Sequence, residues 1–144
     1  MTNLKAIIVD EERLSRLNLR RLLQPFPEIQ IAGEADSCES ALELINHHNP
    51  QLIFLDIQLR GETCYDLLEF IENSIKIIFV TAFDEYPTRT LKVNPVDYLL
   101  KPVNPVRLRE AIERVKKQRN QHIILSDRLS CSTLIENVKL FALQ

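Results

Sequence analysis

The chain has 144 residues and a formal net charge of −2, with 45% hydrophobic and 26% charged residues, which is the composition of a globular protein of one domain. It contains only two glycines, Gly33 and Gly61, where average usage of about 7% would give roughly ten. This scarcity excludes a P-loop, a GxGxxG dinucleotide loop and a GxSxG nucleophile elbow, because each of these motifs needs several closely spaced glycines.

The three cysteines and three histidines lack the spacing of metal sites or redox pairs, because the chain contains no CxxC and no HExxH. An odd, sparse cysteine count without a secretion signal predicts a cytoplasmic protein. No apolar run approaches the ~18 residues that span a bilayer, so we expect no membrane association. The near-neutral net charge argues against a basic surface that binds nucleic acid.

Short β-branched apolar runs alternate with longer amphipathic runs along the first 120 residues. The pattern predicts strands at 4–9, 28–34, 51–55, 75–80 and 96–100, and helices at about 12–24, 38–47 after a Ser37 cap, 63–73, 87–93 and 105–120 after an Asn104 cap. Five βα repeats with right-handed crossovers predict an α/β fold, a doubly wound five-stranded parallel sheet with helices on both faces. After about residue 120 the sequence is predicted to form short strand fragments, too few to bury a core of their own.

Polar residues follow four of the predicted strands at their carboxyl ends. Asp10 and Glu11 follow the first strand, Asp56 the third, Thr81 the fourth and Lys101 the fifth. Each has an ordinary alternative explanation by itself, as an acid near a helix start, a turn aspartate, a strand end or a solvated lysine. In an open parallel sheet, however, ligands bind outside the carboxyl ends of the strands, so their joint placement favours one common site.

Phosphoryl transfer to a carboxylate suits this set of residues. An aspartate carboxylate is a competent nucleophile toward phosphorus, and adjacent carboxylates favour Mg²⁺, which bridges carboxylate and phosphate oxygens. Asp10, Glu11 and Asp56 can supply oxygen ligands. Lys101 and Thr81 can stabilise the charge on the transferring phosphoryl group.

These motifs resemble those of a response regulator receiver domain. The resemblance covers about residues 3–120 and is carried by IIVDEE, by QLIFLD, by TAFDEYPTRTLKVNPVDYLLKP and by the capped last helix. The 81–102 stretch is closer still to receivers that precede a LytTR-type DNA-binding domain. The resemblance implies a flavodoxin-like (CheY-like) fold with the strand order 2-1-3-4-5.

The resemblance also assigns roles to individual positions. Asp56 is then the phosphoacceptor and Lys101 the phosphate-binding lysine, with an expected cis bond to Pro102. Thr81 is the switch hydroxyl and Tyr98 the switch aromatic. The Mg²⁺ ligands would be Asp10, Glu11, Asp56 and the backbone carbonyl of Gln58.

The chain departs from the family pattern at three positions. Glu11 stands where Asp is usual, Arg60 where a loop proline is usual, and Cys64 where the family has a later glycine. The altered acid pair and the missing loop proline leave open a pseudo-receiver that is not phosphorylated and serves only as an interaction module. A hydrolase that uses an aspartyl-phosphate is disfavoured, because haloacid-dehalogenase-type enzymes need a second acid where this chain has Gln58.

The resemblance implies partners and an output as well. A sensor histidine kinase would donate the phosphoryl group, and the surface of the fourth helix, fifth strand and fifth helix would form a phosphorylation-dependent homodimer. We expect residues 1–120 to be the receiver and 121–144 to be a linker and the incomplete start of a LytTR domain, in a truncated chain or one that ends there. Such a domain needs roughly 100 residues, so DNA binding would need a full-length LytTR domain. The basic last helix is expected to be a solvated face rather than a nucleic-acid surface.

Overall fold

A computed structural model describes residues 3–59, 62–63, 65–72, 74–82 and 95–128 of the chain. The strands are β1 (Leu4–Val9), β2 (Ile29–Ala35), β3 (Leu52–Leu55), β4 (Gln58–Leu59), β5 (Glu62–Thr63), β6 (Lys76–Thr81) and β7 (Asp97–Leu100). The helices are α1 (Arg13–Leu22), α2 (Cys38–His48), α3 (Tyr65–Leu68) and α4 (Pro105–Arg128). Within these ranges, no helix combines the length and the apolar composition needed to cross a membrane.

Five of the strands form one parallel sheet in the order β2-β1-β3-β6-β7. Counting only these strands, the order is 2-1-3-4-5, so the predicted flavodoxin-like α/β fold is confirmed. The central strands β1, β3 and β6 are almost wholly apolar and buried, as expected of parallel strands covered on both faces. Ile7 and Val9 on one face pack in a core cluster with Ala41 and Ile45 of α2.

The helix starts follow the capping residues that the sequence predicts. The Ser37 hydroxyl accepts a hydrogen bond from the Ser40 N–H at 3.1 Å, and the Ser40 hydroxyl accepts one from the Ser37 N–H at 3.2 Å, which closes a capping box at the start of α2. Asn104 Oδ1 accepts a hydrogen bond from the Val106 N–H at 2.8 Å at the start of α4. These bonds satisfy donors that the first turn of a helix leaves without a partner inside the helix.

Main-chain hydrogen bonds align the carboxyl ends of the strands at one edge of the sheet. The Asp10 N–H donates to the Ala35 carbonyl at 2.9 Å, and the Asp56 N–H donates to the Val9 carbonyl at 2.9 Å. The Lys101 N–H donates to the Thr81 carbonyl at 2.7 Å. The parallel ladder therefore holds Asp10, Asp56 and Lys101 at the same edge.

The third helix is shorter than predicted, which corrects the interpretation of 63–73. Thr63 belongs to a short antiparallel pair, opposite Gln58, and the helix spans only Tyr65–Leu68. After the helix the Phe70 N–H bonds to the Leu67 carbonyl at 3.0 Å, an i to i+3 bond that tightens the chain into a turn. The helix predicted at 87–93 lies outside the described residues.

The last helix is longer than predicted, because it runs to Arg128 rather than to about Asn120. The prediction of strand fragments is therefore wrong for 121–128, and residues 129–144 lie outside the described part. No glycine or proline occurs between 106 and 144, so nothing in the sequence forces the helix to stop at Asn120. By its internal contacts the chain divides into the units Met1–Ala111, which contains the sheet, and Ile112–Gln144.

Candidate functional site

Buried polar side chains gather at the carboxyl edge of the sheet. Asp10 follows β1, Asp56 follows β3, and Thr81 is the last residue of β6. As whole residues they are 4%, 8% and 0% exposed, and among the described residues no other polar or charged residue is as deeply buried. Carboxylates are almost never buried without a partner, so this edge is where a function of the fold is to be sought.

Lys101 provides the partner for both carboxylates. Its Nζ lies 2.7 Å from Asp10 Oδ2 and 2.9 Å from Asp56 Oδ2. The lysine follows β7, and its peptide bond to Pro102 is cis, as expected. The structure therefore brings Asp10, Asp56 and Lys101 into direct contact, although they are separated by up to 91 positions in the sequence.

The second oxygen of each carboxylate is held by the main chain. Asp10 Oδ1 accepts a hydrogen bond from the Glu12 N–H at 2.9 Å, and Asp56 Oδ1 accepts one from the Gln58 N–H at 3.2 Å. Each carboxylate thus bonds to an amide two residues later and to the same ammonium group, a local pattern typical of aspartates at turns. Both oxygens of each carboxylate are therefore held by groups of the protein itself.

The ammonium group stays charged in this environment. Burial lowers the pKa of Lys101, but the hydrogen bonds and charges of Asp10 and Asp56 outweigh burial, so the pKa lies above its ordinary value. Two carboxylates face a single ammonium group at this point. The excess negative charge favours a further cation at this edge of the sheet.

The remaining predicted site residues lie around this centre. Glu11 is exposed beside Asp10, and Gln58 is exposed in β4. Tyr98 is half-buried in β7, and its ring lies edge-on to that of Phe79 with centroids 6.3 Å apart. Thr81 ends the strand next to β7 and is paired in register with Leu100. The sequence-based set therefore separates into a buried centre and an exposed or half-buried surround.

The residues present fit Mg²⁺ by the chemistry of their donor atoms. In the described ranges, no group of three or more His, Cys, Asp and Glu side chains is arranged to hold a metal ion. Mg²⁺, however, commonly uses one or two carboxylates, keeps several waters and takes phosphate oxygens. The buried pair of Asp10 and Asp56 meets that requirement, and the exposed Glu11 adjoins it in sequence.

A cavity of about 370 Å³ opens beside Asp10 and Lys101 on the α1 face of the sheet. Its walls are mostly apolar, and Leu14, which is 75% exposed, stands in its lining. The remaining lining residues are Ile8, Val9, Ser15, Asn18, Leu19, Phe54, Val80, Pro102 and Val103. The polar centre thus adjoins a largely apolar cavity.

Sequence reasoning missed one residue that contacts the centre. Arg16 Nη1 donates a hydrogen bond to the main-chain oxygen of Asp10 at 2.6 Å, and Arg16 Nε lies 2.9 Å from Glu34 Oε1. In the sequence Arg16 is one of four arginines in α1, so composition does not distinguish it. Glu34 is a sequence feature that could have pointed to Arg16, because it is an acid within the otherwise uncharged strand IQIAGEA and needs a basic partner.

Comparison with known proteins gives concordant matches. The family model described as response regulator receiver domain matches residues 6–113. The chain is 37% identical over 123 residues to the sensory transduction protein LytT of Bacillus anthracis, covering 83% of this chain and 50% of that protein. It is 36% identical over 120 residues to the transcriptional regulatory protein BtsR of Salmonella typhi, covering 82% and 50%.

A solved structure shares the fold. The REC domain of AraT, a response regulator from Geobacillus stearothermophilus, superposes with a TM-score of 0.74 at 29% sequence identity, covering 83% of this chain and 97% of that domain. The chain spans about half the length of the curated relatives it matches.

Proposed function

Because the chain belongs to the response regulator receiver family, a family of signalling domains rather than classical enzymes, we propose that it accepts a phosphoryl group on Asp56. The observation that carries the proposal is the single ammonium of Lys101, which contacts the carboxylates of Asp10 and Asp56 at 2.7 and 2.9 Å. A sensor histidine kinase is the proposed donor, since two-component signalling pairs such a kinase with each response regulator.

In the proposed reaction a carboxylate oxygen of Asp56 forms a bond to phosphorus while the bond from phosphorus to the donor's leaving atom breaks. Lys101 then supplies positive charge to the phosphoryl oxygens, and Asp10 keeps the ammonium in place. Thr81 offers a hydroxyl donor at the end of β6. Mg²⁺, when bound by Asp10, Glu11, Asp56 and the Gln58 carbonyl, would neutralise charge on the phosphoryl group.

The test is phosphorylation by a small-molecule donor. We expect acetyl phosphate and Mg²⁺ to produce a single phosphate adduct in the intact mass, and Asp56→Asn to abolish it. Asp36→Asn is a matched control, because Asp36 follows β2 at the same edge and accepts a hydrogen bond from Ser40; this variant should keep the adduct. An unmodified wild-type chain would refute the proposal and leave the pseudo-receiver. Rapid multiple turnover would instead indicate a hydrolase.

We further propose that phosphorylation favours a homodimer through the surface that includes β7 and the start of α4. Leu100 and Val106 are 45% and 63% exposed there, which leaves apolar surface for a partner. Thr81 would move toward the phosphoryl group and Tyr98 would turn inward. Sedimentation with and without beryllofluoride tests this, and a monomer under both conditions would contradict it.

The output of the signal is also a proposal. Residues 1–120 are proposed as the receiver and 121–144 as a linker and the incomplete start of a LytTR domain, in line with the relatives named for sensory transduction and transcriptional regulation. Transcription control through DNA would then need a full-length LytTR domain. A cytoplasmic location stays a prediction from the sequence.

A further inference from the structure

A β-bulge in β2 determines which face of the sheet Glu34 occupies. β1 and β2 pair Ala6 with Ile31 but Ile7 with Gly33, so β2 carries one extra residue at this point. Side chains alternate between the two faces of a strand, and an extra residue reverses the alternation beyond it. Without the bulge, Glu34 would fall on the opposite face of the sheet.

The contacts on the two sides agree with this reversal. A side chain at Gly33 would come within 2.9 Å of Leu44 Cδ2, which belongs to α2, so Gly33 faces α2. Glu34, the next residue, faces α1 instead and pairs in register with Ile8. The bulge thus directs the Glu34 carboxylate to the helix that follows Asp10.

Two arginines of α1, one turn apart, share that carboxylate. Arg16 Nε lies 2.9 Å from Glu34 Oε1, and Arg20 Nε contacts Glu34 Oε2. The two arginines differ in surroundings, since the Arg16 side chain is 16% exposed and the Arg20 side chain 43%. Arg16 also donates to the main-chain oxygen of Asp10 at 2.6 Å. Arg20 therefore offers a natural comparison, because it shares the partner Glu34.

Four polar groups of Asp10 are tied to four different residues. Its N–H donates to the Ala35 carbonyl, its carbonyl accepts from Arg16, and its two carboxylate oxygens contact the Glu12 N–H and the Lys101 ammonium. Of these partners, the Arg16 side chain lies on α1 and is itself bound by Glu34 of the bulged strand β2. Its removal would take away the side-chain bond to the Asp10 carbonyl and loosen the main chain beside the Asp10 carboxylate.

We propose that Arg16 is a positioning residue for Asp10, held in place by Glu34, which the β2 bulge places on the α1 face. The proposal rests on the proposed function of the Asp56 site. Groups that orient a metal-binding carboxylate typically change metal affinity or activity by about 10–100-fold when they are mutated. A surface ion pair on an amphipathic helix has no such effect.

The experiment compares Arg16→Ala with Arg20→Ala as its matched control. In the metal-free protein we expect Arg16→Ala to speed hydrogen exchange of the Glu12 amide roughly fivefold to tenfold, the effect of about one lost hydrogen bond. With acetyl phosphate, the Mg²⁺ concentration for half-maximal phosphorylation should rise ~10-fold or more. Arg20→Ala should change either quantity less than about twofold.

Two further variants keep the test decisive if Arg16→Ala does not fold. Glu34→Gln retains the shape of the side chain but removes its charge. It should raise the exchange rate of the Glu12 amide and the half-maximal Mg²⁺ concentration by smaller factors than Arg16→Ala does. Arg16→Lys keeps a positive charge but cannot bond Asp10 and Glu34 with two separate nitrogens, so it should shift both quantities from wild type by less than Arg16→Ala does; values equal to wild type would contradict the role of the guanidinium.

The outcomes separate this inference from the proposed function. Equal behaviour of the Arg16 and Arg20 variants in both measurements would overturn the role of Arg16 and leave an ordinary helix–strand ion pair. A wild-type chain that takes no phosphate would refute the function of Asp56, whereas the exchange of the Glu12 amide would still decide whether Arg16 positions Asp10.

Discussion

Replacement of Lys101 by methionine removes the cation that two buried carboxylates share. At the observed 2.7 and 2.9 Å, each attraction amounts to roughly 6 kcal/mol at an effective dielectric constant of about 20. Burial of the charges offsets much of this, because the side chains of Lys101, Asp10 and Asp56 are 16%, 6% and 10% exposed. Removal of one partner from a buried ion pair typically costs ~3–5 kcal/mol, and we expect about 3 kcal/mol here.

The assay is urea unfolding in metal-free buffer at neutral pH, followed by circular dichroism. A loss of about 3 kcal/mol lowers the midpoint by about 1.5 M at a slope of about 2 kcal/mol/M. Lys117→Met is the control, since Lys117 is exposed on α4 and its replacement should stay within about 0.5 kcal/mol of wild type. If Lys101→Met unfolds at the wild-type urea concentration, the Lys101 ammonium does not stabilise the fold through Asp10 and Asp56.

The raised pKa of Lys101 sets where this stabilisation ends. A group whose pKa is higher in the folded than in the unfolded chain stabilises fully below its unfolded pKa, about 10.4 for lysine, and loses the contribution as pH rises through the folded pKa. The difference between wild type and Lys101→Met should therefore stay constant from neutral pH to about pH 10 and narrow only above it. A difference that narrows already below about pH 9 would contradict the assignment.

Three smaller changes probe the frame around the site. Gly33→Ala should lower stability by about 1 kcal/mol, because the added Cβ meets Leu44 Cδ2 at 2.9 Å, and a Leu44→Ala background should remove most of that penalty in urea unfolding. Asn104→Ala should cost about 1 kcal/mol through the lost cap of α4, with Asn104→Ser nearly neutral as the control. Arg107→Ala should cost about 1 kcal/mol, because the guanidinium is 40% exposed, whereas the Asp97 carboxylate is 7% exposed but keeps the hydrogen bond from the Tyr98 N–H; a loss above about 2 kcal/mol would show that this ion pair matters more than expected.

The sequence allowed the centre of the site to be predicted because local patterns mark strand ends. β1 is an apolar run that stops at Asp10, and its observed bounds, Leu4–Val9, coincide with the predicted 4–9. Each of Asp10, Asp56 and Lys101 follows an apolar run that forms a strand. Because parallel strands end at the same edge of the sheet, the topology brings the three side chains into contact. The chemical roles assigned to these residues stay predictions.

Other features escaped prediction for physical reasons. The pair β4–β5 has two residues in each strand, which is too short to produce an alternating pattern. The end of α4 lacks a helix breaker, so no local residue indicates it. The link from Glu34 through Arg16 to Asp10 depends on a bulge. Gly33 in the strand pattern can indicate a bulge, but the sequence does not show which contacts the change of register brings about.

The bulge has a second effect, because β2 is an outermost strand of the sheet. A regular outer strand presents a row of free amide and carbonyl groups on which another polypeptide can assemble. An irregular ladder with a charged side chain breaks up that row, so the distortion that orients Glu34 also discourages edge-to-edge aggregation. Deletion of Ala32 would restore a regular ladder between β1 and β2. It would therefore favour self-association through the β2 edge and also disturb Asp10, which follows β1.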